Sequence, residues 1–167
     1  MCDDNFKTLR LTRESARLQK KYAKCGDIAA HLQSERWCAE MSDSVTHWTA
    51  KLYGAEGTPY ENQEYDLLLD FSGVDYPAKP PKVCFIRKIP YHANVYQDGS
   101  ICVDILGSEW SPAYSISDLL ASLVSMLNEP NTESPANSDA AKAYDEDDSE
   151  RKTKFAKLAE KHYNKQQ

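Results

Sequence analysis

An α+β fold, with one helix leading into a four-stranded antiparallel meander and three helices closing the chain, follows from three features of this sequence. Four short β-type runs lie between residues 37 and 86, separated by turn residues. Helical apolar spacing occurs before them and again after residue 114. The stretch between the last strand and the next helix has no period at all, yet it is studded with apolar side chains.

Taken in order, residues 6–24 place Leu11, Ser15, Leu18 and Tyr22 at helical spacing, with basic residues on the other faces. This predicts an amphipathic first helix. Cys25-Gly26-Asp27 ends or bends it, and residues 28–36 suit either more helix or a crossing to the first strand. Strands are predicted over residues 37–41, 46–53, 64–71 and 82–86; in the second, Thr46, Trp48, Ala50 and Leu52 alternate with His47, Thr49, Lys51 and Tyr53. Residues 54–63 read as a hairpin connection. Between the third and fourth strands, Pro77, Pro80 and Pro81 cannot donate to a ladder, so the chain crosses there as a rigid turn.

Residues 88–113 form the irregular segment. Ile89, Val95, Ile101, Val103, Ile105, Leu106 and Trp110 give it apolar anchors, so it is expected to be ordered and functional. Ser115-Ile116-Ser117-Asp118 starts the next helix. Its stripe of Ile116, Leu119, Leu120, Leu123, Val124 and Leu127 is wide enough for a central helix laid across the sheet, and Glu129-Pro130-Asn131 ends it. Helices over residues 138–144 and 149–163 complete the chain, the second with Phe155, Leu158, Ala159 and His162 on one face.

Composition narrows the function class. The 167 residues suit a single domain, 1–167, with its core over about 6–163. With 41% hydrophobic residues, the chain has the material for a core and is not a disordered one. No apolar run approaches the roughly 20 residues that cross a bilayer, and the first residues form no apolar signal segment. Five cysteines (Cys2, Cys25, Cys38, Cys84 and Cys102) are odd in number, widely spaced and free of any Cys-x-x-Cys pair. That argues against a disulfide framework and against a zinc site. Reduced thiols in the cytoplasm and/or nucleus are expected, most of them as small buried apolar residues.

The net charge of −6 is unevenly placed. Residues 1–24 carry seven basic side chains against three acids, whereas residues 133–150 carry seven acids against Lys142. Such polarity suits steering of a charged protein partner. An acidic total without a basic stripe interleaved with aromatics argues against nucleic acid.

The irregular segment holds His92-Ala93-Asn94 and, eight residues past the asparagine, Cys102 within Gly99-Ser100-Ile101-Cys102-Val103-Asp104. Around them stand Tyr76-Pro77-Ala78-Lys79-Pro80-Pro81-Lys82-Val83, Trp110-Ser111-Pro112-Ala113, and Asn128-Glu129-Pro130-Asn131 running on to Ser134-Pro135-Ala136-Asn137. In this order and spacing, from about residue 46 to 144, the chain resembles the ubiquitin-conjugating (E2) enzymes. The resemblance implies the UBC fold. It also implies transfer of ubiquitin from an activating E1 onto a cysteine, then onto a lysine with a RING-type E3 or onto the cysteine of a HECT-type E3. No cofactor is implied on this chain, since ATP is used by the E1. An E2 for another ubiquitin-like modifier, and a non-catalytic E2-like ubiquitin-binding module, are the alternatives; the second lacks the cysteine that this chain retains.

Each site residue has its own chemistry. A thiol is intrinsically nucleophilic and its acyl thioester stays reactive toward amines, whereas a cysteine between Ile101 and Val103 suits burial equally well. The resemblance assigns Cys102 the thioester. Asn94 is implied either to stabilise the oxyanion that forms when an amine attacks, or to hold the active-site loop; as a residue type it is also a turn-former. A histidine near a cysteine invites a dyad, but the resemblance gives His92 a structural role. Asp104 and Ser134 are implied to line the approach of the acceptor lysine, with local capping as their plainer role.

Where the family usually has proline this chain has Ala93, which leaves the loop freer and restores an N–H. The basic residues Arg10, Arg13, Arg17, Lys20 and Lys21 resemble the helix that docks an acidic domain of E1. Ser111, Pro112 and Ala113 match one E3-contacting loop. Ala78 stands in the other, where many members present an aromatic.

Overall fold

The computed structural model describes residues 4–24, 31, 34–144 and 148–166. Helix α1, Asp4–Lys24, is followed by strands β1, Trp37–Met41, β2, His47–Tyr53, β3, Glu64–Asp70, and β4, Lys82–Ile86. These four form one antiparallel sheet in the order β1-β2-β3-β4. A 3-10 turn, Asp104–Leu106, precedes helices α2, Ile116–Asn128, α3, Ser138–Ala143, and α4, Ser149–Asn164. The turn predicted at Cys25-Gly26-Asp27, most of 28–36, and the thiols of Cys2 and Cys25 lie outside the described residues.

Period-2 alternation sets the sheet. Trp48, Ala50 and Leu52 of β2 face inward opposite Leu69, Leu67 and Tyr65 of β3, and Leu67 and Leu69 stand opposite Phe85 and Val83 of β4. A one-residue slip would turn all of these to solvent, so burial locks the register. Across the inner face lies α2, packed against β1 and β2. Its Leu119, Leu120, Leu123 and Leu127 are fully buried, each contributing about 1.5–3 kcal/mol relative to exposure. A capping box starts it: Ser115 Oγ accepts the Asp118 N–H, while an Asp118 carboxylate oxygen accepts the Ser115 N–H at 2.8 Å.

The departures from the predicted elements have local causes. The core-facing stripe of α1 takes Glu14 in place of Ser15, because the Glu14 carboxylate is satisfied there: it accepts from Arg10 Nε (2.7 Å), Tyr76 OH (3.0 Å) and the Ile116 N–H (2.8 Å). On α2, Met126 joins the buried face and Val124 is only half covered. On α4, Phe155 and Ala159, four residues apart, form a narrow seam, and Leu158 on its shoulder is exposed. Thr46 and Phe71 fall just outside β2 and β3 yet remain paired, Phe71 N–H donating to Thr46 O at 2.8 Å.

Candidate active site

Cys102 is delivered by a miniature hairpin beyond β4. Val95 bridges Ile101, the Cys102 N–H donates to Asn94 O at 2.9 Å, and the Tyr96 N–H donates to Ser100 O at 2.9 Å. Alternation sends Val95 and Ile101 toward the core and places Asn94 and Cys102 together on the opposite face. Gly99 makes the turn possible. Its φ is +88°, and a Cβ there would lie 2.3 Å from Phe85 O. Its carbonyl accepts the Phe85 N–H at 2.8 Å, which moors the hairpin to β4. Asp98 Oδ1 accepts from the Ser100 N–H (2.9 Å) and from the Ser100 hydroxyl; these donors hold the carboxyl below its ordinary range.

The Cys102 thiol is exposed, so burial between two apolar neighbours is not its fate. Cys38 and Cys84 sit differently. Burial pushes both of their thiols up, opposite to what a nucleophile needs.

Asn94 is 3% exposed and faces the chain just past α2. Its Nδ2 donates to Asn131 O at 2.8 Å, and its Oδ1 accepts the Asn131 N–H at 2.8 Å. An amide nitrogen carries two hydrogens, and this pair uses one of them. His92 lies beneath it, fully buried. Its Nδ1 accepts the Asn94 N–H at 2.9 Å, so the proton sits on Nε2, which donates to Met126 O at 3.0 Å. Burial lowers the imidazole pKa to about 4, and the ring is neutral. With both nitrogens engaged, neither is left for a Cys–His dyad. Ala93 is buried between them, its carbonyl accepting the Asn137 N–H at 2.9 Å.

A cleft of about 350 Å³ brings together Cys102, Asn94, Asp104 and Ser134. Ser122, Ser125, Met126 and Glu129 of the α2 face and its end complete the wall, with Asn131 beside them. Asp104 starts the 3-10 turn through its backbone, its carbonyl accepting from the Gly107 and Glu109 N–H groups at 2.9 Å, while the residue itself remains exposed. Ser134 is exposed and lines the same cleft, three residues before Asn137, which caps α3. The sequence reading missed the α2 wall. Its only trace there was the polar spacing of Ser122, Ser125 and Glu129 on the face away from the leucines.

The partner-surface candidates converge as well. Trp110 Nε1 donates to Pro77 O at 2.9 Å, so the loop of Ser111, Pro112 and Ala113 lies beside the loop of Ala78. Ala78, Pro112 and Ala113 are exposed. Arg10 Nη2 donates to Tyr114 O at 2.9 Å, which brings α1 against the same surface. Arg13, Arg17 and Lys20 are exposed, whereas Arg10 is engaged by Glu14 and Tyr114, and Lys21 pairs with Glu35 (3.3 Å) over the Trp37 ring. Among the described residues no group of three or more His, Cys, Asp or Glu side chains is arranged to hold a metal, and no helix is long and apolar enough to cross a membrane.

A family model for ubiquitin-conjugating enzymes matches residues 10–160. The chain is 41% identical over 125 residues to ubiquitin-conjugating enzyme E2 3 of Arabidopsis thaliana, covering 75% of this chain and 82% of that protein. It is 44% identical over 122 residues to ubiquitin-conjugating enzyme E2 1 of Caenorhabditis elegans, covering 73% of this chain and 62% of that one. In three dimensions it is similar to the H. polymorpha ubiquitin conjugating enzyme Pex4p, whose crystal structure is a complex with the soluble domain of Pex22p. The TM-score is 0.79 at 27% identity, over 93% of this chain and 95% of that one. Fold and family match agree: the chain belongs to the ubiquitin-conjugating (E2) enzyme family.

Proposed function

We propose that Cys102 accepts ubiquitin from E1 as a thioester and that the cleft beside it passes the ubiquitin to a lysine. The observation that carries this reading is the exposed Cys102 thiol sharing one cleft with Asn94, Asp104 and Ser134. In the first step the Cys102 sulfur attacks the carbonyl carbon of the E1 thioester. A new C–S bond forms and the E1 thiolate leaves. In the second, a neutral lysine amine attacks the Cys102 thioester. Negative charge gathers on the carbonyl oxygen, the nitrogen gives its proton to solvent water at the open cleft, and Cys102 leaves as thiolate with an isopeptide bond formed.

The buried, neutral His92 supports the loop and exchanges no proton. The remaining N–H of the Asn94 amide suits the developing oxyanion, while its pair with Asn131 suits holding the loop. Asp104 orients and desolvates the incoming amine, and Ser134, which lacks a carboxylate, gates the opposite side. No metal or organic cofactor takes part on this chain, ATP being consumed by E1. The exposed basic residues Arg13, Arg17 and Lys20 suit an acidic E1 surface, and the joined loops of Ala78 and Ser111, Pro112, Ala113 suit an E3. Reduced thiols fit a cytoplasmic or nuclear site of action.

The test is to mix the chain with E1, ATP and ubiquitin and resolve the products on a gel. A reductant-sensitive adduct is expected, and Cys102→Ser converts it to a thiol-resistant ester or removes it. Absence of the band with ubiquitin and with a panel of other modifiers and their E1s overturns the reading.

A further inference from the structure

Beyond β4 the chain leaves the sheet and runs to His92 without a strand partner among the described residues, and α4 takes over as its support. The Lys88 ammonium lies 4.0 Å from the centroid of the Tyr163 ring. Ile89 is gripped at both ends of its backbone by one side chain. Its N–H donates to Gln166 Oε1 at 2.8 Å, and Gln166 Nε2 donates to its carbonyl at 3.0 Å. The same Nε2 also donates to His162 O at 3.2 Å, which fixes the amide against the last turn of α4, which ends two residues before Gln166. The Tyr91 ring lies 5.7 Å from both Phe155 and His162, and the Tyr91 carbonyl accepts from Tyr60 OH at 2.9 Å.

The helix has its own mooring. Phe155 is fully buried, and Tyr163 OH accepts the Glu64 N–H of β3 at 3.2 Å. An amide that pairs with both the N–H and the C=O of one residue does the work of a neighbouring strand. Ile89 stands three residues before His92 and five before Asn94. From there the bonds continue from His92 to the Asn94 N–H, and from the Asn94 side chain to Asn131.

We propose that Gln166 is a positioning residue for the thioester chemistry. Its pairing with the Ile89 backbone makes α4 a splint that sets where His92 and Asn94 stand relative to Cys102. Gln166 touches no substrate, and the proposal rests on the reading of Cys102 and Asn94 given above. Because small misplacements of a reacting constellation cost up to about 10²-fold in rate, release of this splint slows aminolysis by roughly 5- to 10-fold and leaves the accessible thiol free to be charged.

Three variants and two measurements test it. Gln166→Ala removes the pairing; Gln166→Glu keeps an acceptor for the Ile89 N–H but sets a charged oxygen against its carbonyl. Ala39→Gly, on the edge strand β1 at the far side of the sheet, serves as a control for general loss of stability. The first measurement, on the uncharged full chain, is hydrogen exchange at the Asn131 amide and the Asn94 side-chain amide by nitrogen-15 NMR. The second is single-turnover discharge of preformed ubiquitin thioester to free lysine.

In Gln166→Ala, exchange at both positions is expected to quicken by about 10-fold, discharge to slow as stated, and charging to match wild type; Gln166→Glu falls between. Ala39→Gly, compared at equal distance below its own Tm, moves neither readout. Unchanged exchange in Gln166→Ala, faster exchange without slower discharge, or equal changes in the control each overturn the proposal. A wild-type chain that forms no thioester overturns the reading of Cys102, and the proposal falls with it. A wild type that charges and discharges, matched by Gln166→Ala in both readouts, overturns the proposal alone.

Discussion

Asn94 and Asn131 read each other across the cleft, the side-chain amide of the first pairing with both the carbonyl and the N–H of the second at 2.8 Å. One residue thereby closes the loop after α2 over the hairpin that carries Cys102. Asn94→Asp keeps the acceptor for the Asn131 N–H but loses the donor and sets a carboxylate against a carbonyl. Discharge of the thioester to free lysine is expected to fall by about 10²-fold or more, with charging retained and stability lowered by about 1–2 kcal/mol. Single-turnover discharge and a denaturant titration check the two halves separately. Loss of charging instead would mean that Asn94 serves the first step as well.

His92 gives a pH signature of definite sign. Its pKa falls from an ordinary value near 6.5 to about 4 in the folded chain, so the unfolded chain binds more protons between those limits. Stability from this group is full above pH 6.5 and is lost as pH falls, by about 1 kcal/mol at pH 5.5 and about 3 kcal/mol at pH 4. The imidazole resonances of His92 are expected not to titrate between pH 8 and 5.5, with the proton on Nε2. A ring that titrates near pH 6.5 would reopen the role of a base.

Ala93→Pro is expected to be well tolerated. The Ala93 carbonyl that accepts from Asn137 is kept, and among the described residues no acceptor faces its N–H. Restricting the unfolded chain should raise stability by about 0.4–1 kcal/mol, with charging and discharge within about twofold of wild type. Abolished charging, set against a denaturant midpoint that drops, would show that the turn at residue 93 needs an angle proline forbids.

The basic helix divides into two kinds of residue. Glu14→Ala removes the acceptor of Arg10, Tyr76 and the Ile116 N–H from a buried place, and a loss of about 3–5 kcal/mol is expected by thermal melting. Arg13→Glu with Arg17→Glu alters exposed charge. Stability should move by less than about 0.5 kcal/mol, while E1-dependent charging slows, more so at low salt than at high. Equal charging rates at low salt would remove these residues from the E1 surface.

Much of this protein is carried by local pattern. The short β-type runs at 37–41 and 82–86 are strands β1 and β4 with those bounds, Ser115 and Asp118 announce the start of α2, and the leucine spacing that follows defines its buried face, since each of these depends on neighbours within one or two turns or along one strand. The order of His92, Asn94, Cys102, Asp104 and Ser134 is likewise visible in one dimension, and so is the resemblance to E2 enzymes. Only the tertiary structure decided what those residues do to one another. The exposure of Cys102, the engagement of His92 Nε2 by Met126, 34 residues on, and the place of Glu14 inside, against the Ile116 N–H 102 residues on, all belong to the packed chain. Burial and long-range hydrogen bonds are properties of the packed chain, and no period in the sequence encodes them.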